Sequence, residues 1–509
     1  MTRRLVKNAV ANLARGSAAA VVALLLPPVL VRYMPSASYA VWVLALQAAA
    51  YVTYLDLGLQ TAVARYIAFA NEKKDMALRD GVFSTALAGL SIAGVLGFLI
   101  VVVIAIASYK IFPSVPSELV VPLRTTMLIV GAGTALALPG SAWSGIFVGL
   151  QRYEVPALAN GSGKFLLAAG LIWAAMTGKS LAVMSFILVA TTLYIYAVQF
   201  FAKRWIAPEI HFQKALIVKP VIKELLSYCF SLGVWSFSML LINGLDLILV
   251  GRFQFAAVTS YSVSSTLITF LIGIQVAIFG VIMPHAAELY AQKNSGALGK
   301  LATNTTQLGV LLLLITGLPL IVFSSLIIKV WIGPQFAVAG GEILTILVIA
   351  NMTRLTGTPY ASILQGTGQQ KQVIVAPLAE SLTNLLASVA LGVKFGAIGV
   401  ALGTLIGALV GVFATIFYSL PRTRDSIEIA KRKYLSSLVL PALCGLPVYL
   451  ALLAKMFHPV SDKITFLALL ASWACCLCFF IRVRGMKRKD GGLPTEDYTE
   501  RRIGIDARP

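Results

Sequence analysis

The chain has 509 residues, 59% of them apolar and 12% charged, against roughly 25% charged in an ordinary soluble domain, which excludes a soluble protein. Lys and Arg number 41 against 20 Asp and Glu, a net charge of +21. Apolar runs repeatedly reach the ~20 residues that cross a bilayer, so the basic excess belongs to a polytopic membrane protein and not to a nucleic-acid binder.

The expected fold class is an all-α polytopic membrane protein of about 14 transmembrane helices, built as two pseudo-symmetric six-helix bundles plus two extra C-terminal helices. Apolar runs bounded by charge, Pro/Gly or polar clusters place six spans near 8–32, 38–64, 83–107, 120–145, 155–177 and 181–202, giving an N-terminal lobe over 1–202. A basic cytoplasmic linker occupies 203–225. Six further spans near 226–250, 257–284, 305–328, 342–364, 372–393 and 397–420 form a C-terminal lobe over 226–420. Two accessory spans, 436–455 and 464–482, lie within 421–482, and a basic tail fills 483–509.

Lys and Arg concentrate in 3–7, 65–82, 203–224, 421–434 and 482–509 and are sparse in the alternate loops. Cytoplasmic loops retain basic residues, so both termini are expected in the cytoplasm. A signal peptide is the competing reading of Arg3, Arg4 and Lys7 ahead of an Ala/Val/Leu run. Arg15 interrupts that run, its length suffices to span, and its removal would invert the next basic loop. Cys229, Cys444, Cys475, Cys476 and Cys478 lie in apolar runs without ligand-like histidines and read as buried thiols.

The two groups of six show a weak self-similarity at an offset of about 220: "LVRYMPSASYAV" (30–41) against "LVGRFQFAAVTSYSV" (249–263), with Arg32 opposite Arg252 and Tyr39 opposite Tyr261. An even number of spans per half gives the halves one orientation, as in transporters made of parallel repeats. Pro27-Pro28 in the first span and Asn243-Gly244 in the seventh nearly coincide at this offset and are the expected helix interruptions.

A charge at mid-bilayer costs roughly 2.5–3.5 kcal/mol even on the lenient scale, so each should face protein or water. The charges inside spans are Arg15, Asp56, Lys164, Asp246, Arg354 and Glu380. Most have an amide one turn away on the same face: Asn12 with Arg15, Asn160 with Lys164, Asn243 with Asp246, Asn351 with Arg354 and Asn384 with Glu380. The recurrence suggests polar stripes lining a hydrated cavity, in which Arg15, Lys164 and Arg354 hold an anion and the amides bond sugar hydroxyls. Asp56, Asp246 and Glu380 are candidate coupling or salt-bridge carboxylates. Each amide reads equally as interhelical glue worth about 1 kcal/mol. "GSGKF" (161–165) is not a phosphate loop, because Leu158 replaces its first Gly and Phe165 its Ser/Thr. His211, His285 and His458 make no metal spacing or triad, so no catalytic residue, metal or cofactor is expected.

The segment "YAVWVLALQAAAYVTYLDLGLQTAVARYIAFANEKKD" (39–75) resembles the Asp-Leu-Gly-Leu then Arg-Tyr stretch of polysaccharide (O-antigen type) flippases in the multidrug/oligosaccharidyl-lipid/polysaccharide exporter superfamily. "GLQRYEVPALAN" (149–160), "LINGLDLILVGRF" (241–253) and the six-plus-six-plus-two plan are similar to that family too. The likeness covers about 8–420 through short motifs, with Asp56, Arg65 and Asp246 at family-typical positions. It implies a transporter, not an enzyme, moving an undecaprenyl-pyrophosphate-linked oligosaccharide across the bacterial cytoplasmic (inner) membrane by alternating access, for O-antigen, lipopolysaccharide or other surface polysaccharide. The implied partners are the lipid-linked glycan, the bilayer, and a glycan polymerase and glycosyltransferases. Two rivals remain: a drug/cation antiporter of the same superfamily, which should show carboxylates dominating the cavity, and a membrane glycan polymerase, which should carry a large outside loop.

Overall fold

In the computed structural model of the chain, residues 22–226, 229, 240–241, 245–457 and 461–489 are described. Asn12, Arg15, Asn243 and Gly244 lie outside them, as do large parts of the expected first and seventh spans. The described residues form helices and connecting turns without a β-strand. Helices satisfy their own backbone hydrogen bonds, which hydrocarbon demands of any spanning segment with an unpaired edge. Eleven are long and apolar enough to cross a membrane, and Val22–Tyr33 is a shorter apolar helix.

Helix α1 is Val22–Tyr33. In the N-terminal half follow α2 (Ser36–Ala50), α3 (Leu59–Lys73), α4 (Met76–Ile106), α5 (Ser117–Gly149), α6 (Glu154–Met176) and α7 (Leu181–Ile206). The C-terminal half contains α8 (Asp246–Phe253), α9 (Val258–Phe279), α10 (Ile282–Ala291), α11 (Ser295–Val322), α12 (Ala337–Leu355), α13 (Thr358–Thr367) and α14 (Val375–Ala414). Then come α15 (Lys431–Ala442), α16 (Leu446–Phe457) and α17 (Asp462–Lys489), of which α15 and α17 pack on α11.

Several expected spans are broken. The second divides at Leu57 and Gly58, both left-handed (φ 47° and 84°), and Asp56 Oδ1 accepts the Gln60 amide to cap the renewed helix. The eighth divides at Gly280 and the tenth at Gly357, where Pro359 opens α13 without needing an amide partner. Gly58 and Gly280 stand at the repeat offset of about 220. The interruption expected at Pro27-Pro28 is not there: α1 stays helical through both prolines. The third span starts earlier than expected, at Met76, because Asp75 caps it by accepting the Leu78 amide at 2.8 Å and the charges that follow are sheltered by the linker. Cys475 and Cys478 are exposed on α17, contrary to the buried reading, while Cys229, Cys444 and Cys476 are buried. Lipid-facing positions accept a small apolar thiol as readily as a core does.

The break expected between 393 and 397 is a helical hairpin within α14, turning at Gly396 (φ 58°). Gly399, Gly403, Gly407 and Gly411 recur every four residues on the returning arm. A Cβ at these positions would meet Leu391, Ser388, Asn384 and Glu380 in turn, so the missing side chains let the arms approach closely. Ser388 Oγ lies 3.1 Å from the Val400 carbonyl across the hairpin and 3.0 Å from Asn384 Oδ1 within its own arm.

Gly403→Ala should therefore destabilise the protein by about 1–3 kcal/mol through overpacking against the Ser388 backbone. Gly161→Ala, where a Cβ meets nothing within 4 Å, should be neutral or stabilising. Thermal unfolding of the two detergent-solubilised variants checks this, and equal stability would mean the arms are not in close contact.

Candidate functional site: a polar cavity between the two halves

The halves pack through α2 against α8 and α9. Hydrogen bonds between them cluster at one end. Ser114 Oγ donates to the Gly251 carbonyl (2.7 Å), Arg252 Nη1 to the Lys110 and Ile111 carbonyls (both 3.1 Å), Thr259 Oγ1 to the Ser36 carbonyl (3.0 Å), and Trp331 Nε1 to the Leu24 carbonyl (3.0 Å). Gly251 packs on Leu44, and Tyr39 hydrogen-bonds Ser262.

Below this seam lies a cavity of about 430 Å³. Gln47 of α2 enters it from the N-terminal half. Ser262, Ser265, Thr266 and Thr269 of α9 line it at i, i+3, i+4 and i+7, one face of a helix. Asn351 and Arg354 of α12, Thr404 of the hairpin and Asp246 at the start of α8 complete its polar wall. Asp246 Oδ2 accepts hydrogen bonds from Tyr261 Oη (3.1 Å) and Thr404 Oγ1 (2.9 Å), joining α8, α9 and the hairpin at one oxygen.

Arg354 Nε donates to Glu380 Oε1 at 2.5 Å, and Nη1 reaches Asn351 Oδ1 at 3.4 Å. The Asn351 amide nitrogen is spent on the Leu347 carbonyl at 2.9 Å. Both charged side chains are largely buried, 15% and 12% exposed. They also line a second cavity of about 350 Å³ in the C-terminal half, with Gln365, Thr415 and Tyr434 of α15. Arg354 thus stands in the wall between two chambers. A guanidinium held by one carboxylate can exchange that partner for an incoming phosphate, whose geometry it matches in two-pronged fashion.

The structure brings together Asp246, Asn351, Arg354 and Glu380 of the residues the sequence singled out. Asn384 is enclosed between the hairpin arms, off the cavity wall. Lys164 is exposed on α6 in the other half, and Asn160, one turn before it, donates to the Pro156 carbonyl at 2.6 Å. Neither lines the cavities that hold Arg354. Asp56 caps α3, and Arg65 is exposed beside the Tyr66 ring. Sequence reasoning missed the hydroxyl face of α9, although "TSYSVSSTLIT" (259–269) carries it at helical spacing. It also missed Gln47 and Tyr261 as cavity groups.

No protein-family model and no curated protein matches the sequence. Solved structures do. The lipid II flippase MurJ in an inward closed conformation superposes with a TM-score of 0.71 at 14% identity, over 94% of this chain and 99% of that one. A multidrug resistance MATE family transporter of the MOP superfamily in an inward-facing conformation gives 0.65 at 15% identity, over 82% and 95%. A MOP superfamily transporter from Pyrococcus furiosus, described by the reverse polarity of its binding pocket, gives 0.54 at 14% identity, over 83% and 96%. At these identities the likeness establishes the fold: this is an all-α multi-pass membrane protein with the fold of MOP superfamily transporters.

The Arg354–Glu380 pair yields a stability test. Glu380→Gln alone leaves a largely buried guanidinium without its counter-charge and should cost up to about 3–5 kcal/mol. The R354Q–E380Q double variant should lose clearly less than the two single losses combined. Purely additive losses in a double-mutant cycle would show that the pair is not coupled.

Proposed function

We propose that the protein is a flippase that carries an undecaprenyl-pyrophosphate-linked oligosaccharide across the bacterial cytoplasmic membrane by alternating access, for surface polysaccharide of the O-antigen type. The observation that carries this reading is the composition of the interlobe cavity. Its polar wall is made mostly of hydroxyls and amides from Gln47, Tyr261, Ser262, Ser265, Thr266, Thr269, Asn351 and Thr404, with one guanidinium, Arg354, and one carboxylate, Asp246, whose Oδ2 already accepts from Tyr261 and Thr404. Hydroxyls and amides donate to and accept from sugar hydroxyls without selecting a charge, and the guanidinium supplies a cation for the pyrophosphate. The polyprenyl tail stays in lipid while the polar head occupies the chamber.

In this reading the pyrophosphate displaces Glu380 from Arg354, and the return of Glu380 after release resets the empty cavity. Lys164 supplies a further cation on the path from the N-terminal half, and Arg15, outside the described residues, is the third. Asp246 is the coupling carboxylate: neutralising it by a proton or cation weakens its hold on Tyr261 and Thr404, about one and a half helical turns from the seam at Gly251 and Arg252. The seam is at the end that the distribution of basic residues assigns to the outside. The state described here is then closed outward and loads from the cytoplasm. Of the extra helices, α15 brings Tyr434 and Leu438 to the second chamber, which would set it beside the substrate path.

A drug/cation antiporter is the second reading. Asp246 favours it, because a carboxylate held by two neutral hydroxyls can accept a cation. Deletion of the gene separates the two. A flippase leaves its lipid-linked glycan accumulated on the cytoplasmic side, whereas an antiporter leaves glycan export intact and raises sensitivity to cationic drugs. No accumulation would sink the flippase reading.

Two variants probe the mechanism. Arg354→Gln should reduce glycan export roughly tenfold or more, since hydrogen bonds to charged groups contribute ~1.5–3 kcal/mol; unchanged export by a normally expressed variant would remove Arg354 from the substrate site. Cysteines at Leu44 and Gly251, whose positions touch across the seam, should cross-link and block export until a reductant is added. Full export by the cross-linked protein would show that the seam does not open.

A further inference from the structure

A third cavity lies in the N-terminal half, apart from the interlobe chamber, with a volume of about 530 Å³. Phe83 of α4, Trp143 of α5, Phe200 of α7 and Phe212 of the following segment supply aromatic walls, and Lys203 and Arg204 stand on the same cavity. Trp143 and Phe200 meet edge to face at 5.4 Å, and the Arg204 guanidinium lies 4.7 Å from the Phe200 ring centre.

The roof is built, not loose. Residues 207–213 are tied to α4 by four hydrogen bonds: Arg79 Nη2 to the Glu209 carbonyl (3.1 Å), the His211 amide to Asp80 (3.3 Å), Gln213 Nε2 to Asp80 (3.0 Å) and the Gln213 amide to Ser84 Oγ (2.8 Å). The charged groups around Lys203 are Asp80, Glu209, Arg204 and Arg79. Arg79 lies 3.8 Å from Asp80 and 3.5 Å from Glu209, so both carboxylates are already engaged. Lys203, Arg204 and Arg79 together outnumber Asp80 and Glu209 by one, which leaves a positive excess, and Lys203 and Arg204 are the cations on the cavity itself.

The cavity also sits where an apolar span ends. The run of α7 gives way to Lys203 and Arg204, and the adjoining Trp205 is 87% exposed, an arrangement suited to the membrane–water interface. We propose that this cavity binds the headgroup of an anionic phospholipid, with the phosphate at Lys203 and Arg204 and the glycerol and first methylenes along the aromatic walls. Basic residues attract anionic lipid, and the aromatic walls hold the apolar portion that a free phosphate lacks.

Retained phospholipid on protein purified from vesicles of mixed phosphatidylglycerol and phosphatidylcholine, read by native mass spectrometry, tests this. Phosphatidylglycerol should be enriched over its share of the vesicle. The K203Q–R204Q double variant should lose roughly tenfold or more of it, the charge-keeping K203R–R204K pair should retain it, and K431Q–R432Q, elsewhere on the basic surface, should not alter it. Should the double variant fail to purify, the single variants K203Q and R204Q should each show an intermediate loss. A retained ratio equal to that of the vesicle, or an equal loss in K431Q–R432Q, would overturn the proposal. Full displacement by millimolar inorganic phosphate would do so as well, by reducing the site to a phosphate site without lipid character.

Discussion

A polar group inside a bilayer has no water to bond, so its position is set by whichever protein group can reach it. In this protein that requirement is met by the glycine face of the hairpin in α14. Because Gly399, Gly403, Gly407 and Gly411 carry no side chain, the outgoing arm sits against the returning backbone. Ser388 can then reach the Val400 carbonyl, Asn384 is sealed between the arms, and Glu380 occupies the space a Cβ at Gly411 would fill. From there Glu380 holds Arg354, and Thr404 on the same returning arm holds Asp246. One close approach of two helices thus positions both charged clusters that face the cavities.

The cavity and the seam above it are mechanically adjacent. Asp246 opens α8, and Gly251 and Arg252 in the same short helix contact Leu44 and the Lys110 and Ile111 carbonyls of the other half. A change at the carboxylate has only about one and a half helical turns, roughly 7.5–9 Å at 1.5 Å per residue, to cross before it meets the contacts at Gly251 and Arg252. This adjacency supports the proposal that Asp246 couples and Arg354 holds substrate. Asp246 opens the short helix that carries the seam contacts, whereas Arg354 is held by Glu380 away from the seam.

The placement of the spans was readable because hydrocarbon imposes length and apolarity together, and the turn at 394–396 was readable because Lys394 and Gly396 interrupt an apolar run. The breaks at Gly58, Gly280 and Gly357 were not, since glycine is common in membrane helices and only the backbone shows which ones end a helix. Pro27 and Pro28 misled for the converse reason: neighbours and local adjustments can accommodate proline within a membrane helix. At the site, the rule of a charge with an amide one turn away found Asn351 and Arg354, which do hydrogen-bond. Lys164 and Asn160 obey the same spacing, yet Asn160 bonds its own helix, so spacing alone gives a shared face and not a contact. The hydroxyl stripe on α9 escaped because serine and threonine sit in apolar runs without lowering their hydropathy enough to mark them.

The central claim is that the polar chamber moves a glycolipid head between leaflets. Reconstitution of the purified protein in vesicles carrying a polyprenyl-pyrophosphate oligosaccharide, with an enzyme or oxidant outside that modifies only exposed sugar, tests it most directly. The expected result is that the inner-leaflet pool becomes accessible with the unmodified protein and stays protected with the seam cross-linked. An inner pool that remains protected with active, folded protein would contradict the account.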